Sequence, residues 1–261
     1  MNPPTDSAPV QPGGWNDTQA RFYAETIAAS DYALRVVPLL TGPWPDVLDV
    51  GAGSGALGSR LVADGGRWLA VEPQPAMQDL LEHLRPTLAK RRVELQVWPC
   101  TWQTMPPATR AAGLLAAHMG ATHHQAASFF DAMAAHWTLS MRWVVAAQAG
   151  PSTFCLAGFL PAALHGADMQ PAFERALGQL GPTRAPEQIL FADWHCRFVF
   201  PDRPSAQAHF IDRMALVPGT PQADEVSGYV HRHARPTPSG RGIGYEIGCS
   251  KRSAVFCWGR R

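Results

Sequence analysis

Residues 47–58 read Val-Leu-Asp-Val-Gly-Ala-Gly-Ser-Gly-Ala-Leu-Gly, and this stretch decides the fold. Residues 46–50, Asp-Val-Leu-Asp-Val, read as a short buried strand, and the glycines follow it at once. A strand that turns sharply into a helix needs glycine where the backbone takes unusual angles or touches a ligand. Gly51, Gly53 and Gly55 alternate, so a flat ligand edge can approach the main chain between them. Glu72 stands at the end of the next strand, at the spacing where a carboxylate accepts both hydroxyls of a ribose.

Working outward, residues 17–40 carry Phe22, Ile27, Tyr32, Leu34, Val37 and Leu40 at helical spacing. Ser30–Asp31 is a cap that divides them into two helices. After the loop the pattern predicts a helix over 56–63, a strand over 68–71, a helix over 75–88 and a strand over 93–98. It continues with a strand over 113–117, a helix over 125–139 and a strand over 143–147. Strands alternating with helices in this way specify βαβ units and a parallel sheet. The pattern changes after Gly150. Residues 151–188 read as an irregular helical insertion, 189–200 as a strand, 205–215 as a helix, and 244–258 as a strand pair turning at Ser250–Lys251.

The glycine run also fits the GxGxxA form of a dinucleotide fingerprint. Three features favour S-adenosylmethionine instead. Asp49 would repel a pyrophosphate but suits an ammonium and a sulfonium. The loop lies behind about forty residues of helical preamble, where a dinucleotide domain begins near its first strand. Nothing after Glu72 suits a nicotinamide site.

The segment VLDVGAGSGALGSRLVADGGRWLAVEPQPAMQDLL resembles the first two motifs of class I S-adenosylmethionine-dependent methyltransferases, and the resemblance covers roughly residues 17–150. It implies an α/β fold of Rossmann-like type, with a mostly parallel seven-stranded sheet, N-terminal helices and a helical lid. On that reading 1–16 is a disordered tail and 17–150 holds the N-terminal helices and the cofactor half. Residues 151–188 form the lid, and 189–261 supply the strands that complete the sheet. The resemblance further implies that Asp49, Gly51, Ala52, Gly53 and Gly55 surround the methionine part of the cofactor. Glu72 would hold the ribose, and Pro73 and Met77 would pack near the adenine. Many members end the third strand with an Asp. Here Thr101 stands in its place, which shifts the adenine contact toward Trp102. His118, at the end of the fourth strand, would line the cofactor pocket.

His118, His123 and His124 follow the fourth strand and are the candidates for a general base that deprotonates an acceptor. Tyr23 and Tyr32, on the N-terminal helices, are the candidate acceptor contacts together with His123. Aromatic residues are numerous between 151 and 212 and supply core and an apolar acceptor pocket. His231, His233, His195, Cys196 and His209 match no metal-site spacing, so no metal is expected. Pro99–Cys100 follows the third strand and not the fourth, which excludes the nucleophilic cysteine of cytosine-C5 methylation. His118–Met119–Gly120–Ala121 stands where methylation of base amino groups uses an Asp-Pro-Pro-Tyr type of motif.

The formal charge is +1, without the basic excess of a nucleic-acid binder. Arg232, Arg235, Arg241, Lys251, Arg252, Arg260 and Arg261 make the end locally basic, read as a solvated edge or, alternatively, an anion contact. Five cysteines without CxxC spacing indicate reduced thiols and a cytoplasmic chain. No signal peptide opens the sequence, and polar residues and prolines interrupt the apolar stretch 144–164. The expected function is methyl transfer to a small-molecule acceptor. The alternatives are transfer to a macromolecule such as tRNA or a carrier protein, and non-catalytic cofactor binding. The acceptor and the oligomeric state have no signature in the sequence.

Overall fold

The computed structural model describes residues 16–148, 156, 158–165, 170–239 and 242–259. Most of the expected tail, together with Cys155, Arg241, Arg260 and Arg261, lies outside the described residues. The first helix, α1 (Asp17–Ala28), opens with a reciprocal cap. Asn16 Oδ1 accepts from the Gln19 backbone and Gln19 Oε1 accepts from the Asn16 backbone. A short α2 (Tyr32–Val36) follows, as the Ser30–Asp31 signal predicted.

The sheet is built from β1 (Trp44–Val50), β2 (Val62–Val71), β3 (Glu94–Trp98), β4 (Ala111–Ala117), β5 (Trp137–Ala146), β6 (Gln188–Phe200), β7 (Arg235–Ser239) and β8 (Gly242–Gly259). Its order is β3-β2-β1-β4-β5-β8-β6, with β7 paired to β8. Pairings among β1 to β5 are parallel, and β8 runs antiparallel to β5, β6 and β7. This is the expected α/β architecture, a mostly parallel sheet whose strand order reverses beside β1. Helices α3 (Gly58–Leu61), α4 (Pro75–Glu82), α5 (Arg85–Lys90), α6 (Ala126–Met133), α7 (Ala162–His165), α8 (Ala172–Leu180), α9 (Arg203–Arg213) and α10 (Pro221–His233) complete it. No described helix is long and apolar enough to cross a membrane.

Several boundaries differ from the sequence reading, each for a physical reason. The helix expected over 56–63 is a single turn, because Val62 is already extended and pairs with Trp44 of β1. The helix expected over 75–88 is two, since Pro86 has no N–H to continue the ladder. Strand β5 begins six residues before the expected Trp143. Helix α10 was not foreseen, although Thr220 caps it and Pro221 opens it.

The expected turn at Ser250–Lys251 does not exist. β8 is one strand of 18 residues, held along its length by β6 and on its other edge first by β7 and then by β5. Lys251 is therefore buried in the middle of the sheet and not part of a solvated basic edge. Its ammonium lies 4.8 Å from the Phe159 ring. Arg252 points to the other face and pairs with Asp193.

Of the expected lid, α8 packs along α6, where Gln179 Oε1 accepts from Ala126 N and Gln179 Nε2 donates to the His124 carbonyl. Among the described residues, Cys100, Cys196, Cys249 and Cys257 form no disulfide.

Two glycines separate packing from propensity. A Cβ on Gly113 of β4 would overlap the rigid Trp44 ring, whereas one on Gly178 of α8 meets nothing within 4 Å. Gly113→Ala is expected to lower stability by about 1–3 kcal/mol through overpacking. Gly178→Ala is expected to raise it by roughly 0.5–1 kcal/mol through helix propensity. Urea unfolding of both variants checks the pair, and equal effects would contradict the packing described.

Candidate functional site

The strand order reverses between β2-β1 and β4-β5, and the carboxyl ends of these strands frame a crevice at that point. A cavity of about 390 Å³ lies there. Its floor is the loop after β1, with Gly51, Gly53 and Gly55 at φ values of +70°, +55° and +79°. These angles favour glycine at all three positions, but the three do different work. A Cβ on Gly51 would press on the Met119 side chain, and one on Gly55 would strike Trp68 and Leu84. A Cβ on Gly53 meets nothing within 4 Å. That position is the open cradle, and Gly55, which does not line the cavity, keeps the turn tight against the core.

Glu72 ties the loop to the end of β2. Its Oε2 accepts from Gly53 N and its Oε1 from Gln74 N, both at 2.8 Å. Glu72 is buried, and burial raises its carboxyl above the ordinary range while the two N–H groups oppose the shift. Each oxygen keeps a second lone pair for a ligand hydroxyl. The Glu72 carbonyl accepts from Gln78 Nε2 of α4 at 2.7 Å, so the strand end is anchored as well.

Asp49 is 2% exposed, and among the described residues its Oδ2 makes no well-formed hydrogen bond, with the Trp68 indole N–H the donor beside it. Burial pushes its carboxyl up to about 7. The Trp68 indole beside it opposes the shift, and the negative Glu72 adds to it. The carboxylate lies where a Cβ on Gly58 would stand. Gly58 is thus required for Asp49 to sit under the loop. The sequence reading missed this role, although Gly58 was in view as the last glycine of the run. A buried carboxyl without a full set of partners, beside an open glycine and a buried diol acceptor, fits a cationic amino acid joined to a ribose.

The remaining walls come from three places. Pro73, Gln74 and Met77 follow β2, Thr101 and Trp102 follow β3, and His118 and Met119 follow β4. Trp102 packs edge-on against Phe129, at 5.4 Å between ring centres. Thr101 N and its carbonyl are both bonded to the Thr104 hydroxyl group. Tyr23 and Ile27 of α1 and Tyr32 of α2 close the cavity from above. Among the described residues, the N-terminal helices cover the site, and no described residue of 151–188 lines it.

His118 lines the cavity, at a φ of +49°. Burial, together with the charge of Lys251, holds its imidazole down at about 4, so it is neutral at physiological pH. His123 and His124, the other two candidate bases, do not line the cavity. Their rings lie 4.1 Å apart in the 3₁₀ turn at Gly120–Gln125. Among the described residues no group of His, Cys, Asp or Glu is arranged to hold a metal.

No protein-family model matches the chain, and no curated protein matches it. Among solved structures it is similar to the C-terminal domain of precorrin-6Y C5,15-methyltransferase from Rhodobacter capsulatus, with 14% identity, 87% of this chain and 86% of that one covered, and a TM-score of 0.42. It is also similar to geranyl diphosphate C-methyltransferase from Streptomyces coelicolor A3(2), with 14% identity, 90% and 78% covered, and a TM-score of 0.40. A third is precorrin 8w decarboxylase from Methanobacterium thermoautotrophicum, with 10% identity, 88% and 90% covered, and a TM-score of 0.46. Identities this low, with TM-scores below 0.5, say nothing about activity or substrate.

Asp49 makes stability depend on pH with a definite sign. Its carboxyl binds a proton more tightly in the folded protein than at its ordinary value of 3.8. Its contribution to stability is therefore fully present below about pH 4 and is lost as pH rises through about 7. Asp49→Asn removes that loss. The variant is expected to melt above the wild type at about pH 8 and to match it near pH 4.5. The difference is on the order of a few kcal/mol at most, and identical pH profiles would refute the burial of an ionisable Asp49.

Proposed function

We propose that the chain is an S-adenosylmethionine-dependent methyltransferase acting on a small-molecule acceptor. The observation that carries this reading is the Glu72 carboxylate on Gly53 N and Gln74 N, with the buried Asp49 beneath the same loop. Asp49 would face the ammonium of the methionine part, Gly53 would let it approach the main chain, and Glu72 would accept the ribose hydroxyls. Pro73 and Met77 would pack on the adenine, with Thr101 and Trp102 at its far side. The cofactor supplies an activated methyl group there. This chain's residues then have the tasks of alignment and exclusion of water, and Tyr23, Ile27 and Tyr32 close the cavity for that purpose. Of the C-terminal basic residues, Lys251 is buried and Arg252 pairs with Asp193, while Arg232 and Arg235 are exposed.

Calorimetry with S-adenosylhomocysteine and with NAD tests the proposal. The expected result is binding in the micromolar range for the former and none for the latter. Binding at about pH 7 should release a fraction of a proton, because an ammonium beside Asp49 lowers its pKa. Buffers of different ionisation enthalpy read that release, and Asp49→Asn should abolish it. Glu72→Ala should weaken binding at least about tenfold by removing charge-assisted bonds. It should also lower the melting temperature, because two buried N–H groups lose their acceptor. NAD binding without S-adenosylhomocysteine binding would overturn the reading.

A further inference from the structure

Ser253 lies on β8 opposite Ala146 of β5 and Ala192 of β6, and it is completely buried. Its Oγ has two neighbours, Trp194 Nε1 at 3.0 Å and His118 Nε2 at 3.1 Å. An indole N–H only donates, so Ser253 Oγ accepts from Trp194. The hydroxyl has one hydrogen to give, and among the described residues the acceptor in reach is His118 Nε2. That nitrogen is then unprotonated, and a neutral imidazole carries its proton on Nδ1. The reverse tautomer, or the imidazolium, would aim Nε2–H at Ser253 and leave the buried hydroxyl hydrogen without an acceptor, which is costly.

His118 Nδ1 bonds to no described protein group, and the residue lines the cavity. A second donor stands beside it. The Tyr32 ring lies 5.5 Å from that of His118 and 4.8 Å from Trp194. Tyr32 is buried, lines the same cavity, and its hydroxyl has no partner among the described residues. Burial and the negative Asp49 raise its pKa, so the phenol keeps its hydrogen.

We propose that His118 is a neutral hydrogen-bond donor, through Nδ1–H, to an oxygen of the methyl acceptor, with the Tyr32 hydroxyl as the second donor, and that it is not a general base. The proposal rests on the methyltransferase reading of the cavity. Trp194 and Ser253 are positioning residues that set the tautomer from behind. The substrate class that follows is an acceptor that arrives already ionised, an enolate or phenolate with an oxygen lone pair beside the reacting atom: the anion's electron pair forms the bond to the methyl carbon, the methyl–sulfur bond breaks with its pair going to sulfur, and no proton has to be removed in the site. The charged group facing His118 is Lys251 of β8, and Asp49 of β1 shares its cavity. Tyr32, Trp194 and Ser253 are uncharged.

Nitrogen-15 spectra of the full chain labelled at histidine read the tautomer directly, without any acceptor. The expected result is a neutral Nδ1–H ring for His118 from about pH 6 to about pH 8. Ser253→Ala should release the ring to a mixture of tautomers, and Ser253→Thr, which keeps the hydroxyl, should restore Nδ1–H. An Nε2–H ring, or an imidazolium that titrates in this range, overturns the proposal even if Ser253→Ala fails to fold. A second arm separates an acceptor oxygen from the carboxylate of the cofactor. His118→Asn, chosen because Asn tolerates the left-handed backbone, and Tyr32→Phe are compared for affinity toward S-adenosylhomocysteine and 5′-methylthioadenosine, which lacks the amino acid. An affinity ratio unchanged from wild type is expected. A ratio that collapses toward one assigns the donors to the carboxylate and overturns the acceptor assignment. Absence of S-adenosylhomocysteine binding to the wild type would instead sink the cofactor reading, while the tautomer result would still stand.

Discussion

Two backbone N–H groups converge on one buried carboxylate, and the site is organised around that convergence. Gly53 and Gln74 belong to the turns after two adjacent parallel strands, and each donates to a different oxygen of Glu72. A turn with three positive-φ glycines has wide conformational freedom, and ordering it costs entropy. The bonds to Glu72 offset that cost and fix the height of the loop above the sheet. They also fix where the Gly53 cradle opens. The same side chain therefore shapes the floor of the cavity and offers its remaining lone pairs to whatever lies on it.

A second constraint follows from charge. Placing Asp49 under the loop takes a carboxyl out of water without a full set of partners, and Glu72 close by makes ionisation harder still. Such a group destabilises the empty protein near neutral pH and gains when a cation arrives. The cavity is thus prepared for a positive charge at its base. At the β4 end the polarity is opposite: His118 and Tyr32 present hydrogens, and Lys251 lies behind them. A ligand that bridges the two ends needs a cationic group at one and an oxygen lone pair at the other.

Parts of this were legible in the chain and parts were not, for reasons that can be named. Asp49, Glu72, Pro73, Thr101, Trp102 and His118, named from the glycine spacing and the family resemblance, line one cavity, because local sequence sets where each parallel strand ends. Gly55 was read as a ligand contact and is instead a packing position, since the distinction depends on Trp68 and Leu84 from elsewhere in the fold. His123 and His124 were grouped with His118 by proximity in sequence, but the 3₁₀ turn after Met119 carries them out of the cavity wall. Tyr23 and Tyr32 of the N-terminal helices, read as acceptor contacts, do cover the cavity, with Ile27 beside them. Helical periodicity identifies an amphipathic helix without saying which surface it covers.

By itself the sequence determined the α/β class, the succession of the first strands along the chain and the glycine turn after the first of them. These depend on interactions within a strand-turn-helix unit of a few tens of residues. Only the tertiary structure decided the path of β8, which pairs with β6 straight through Ser250–Lys251 and with β7 before and β5 after that point on its other edge. That path sets Ser253 behind His118, 135 residues away in sequence, with Trp194 behind it. The protonation of one imidazole is settled there by a hydroxyl and an indole from two distant strands. No local pattern encodes such a contact, because it exists only after the sheet has closed around it.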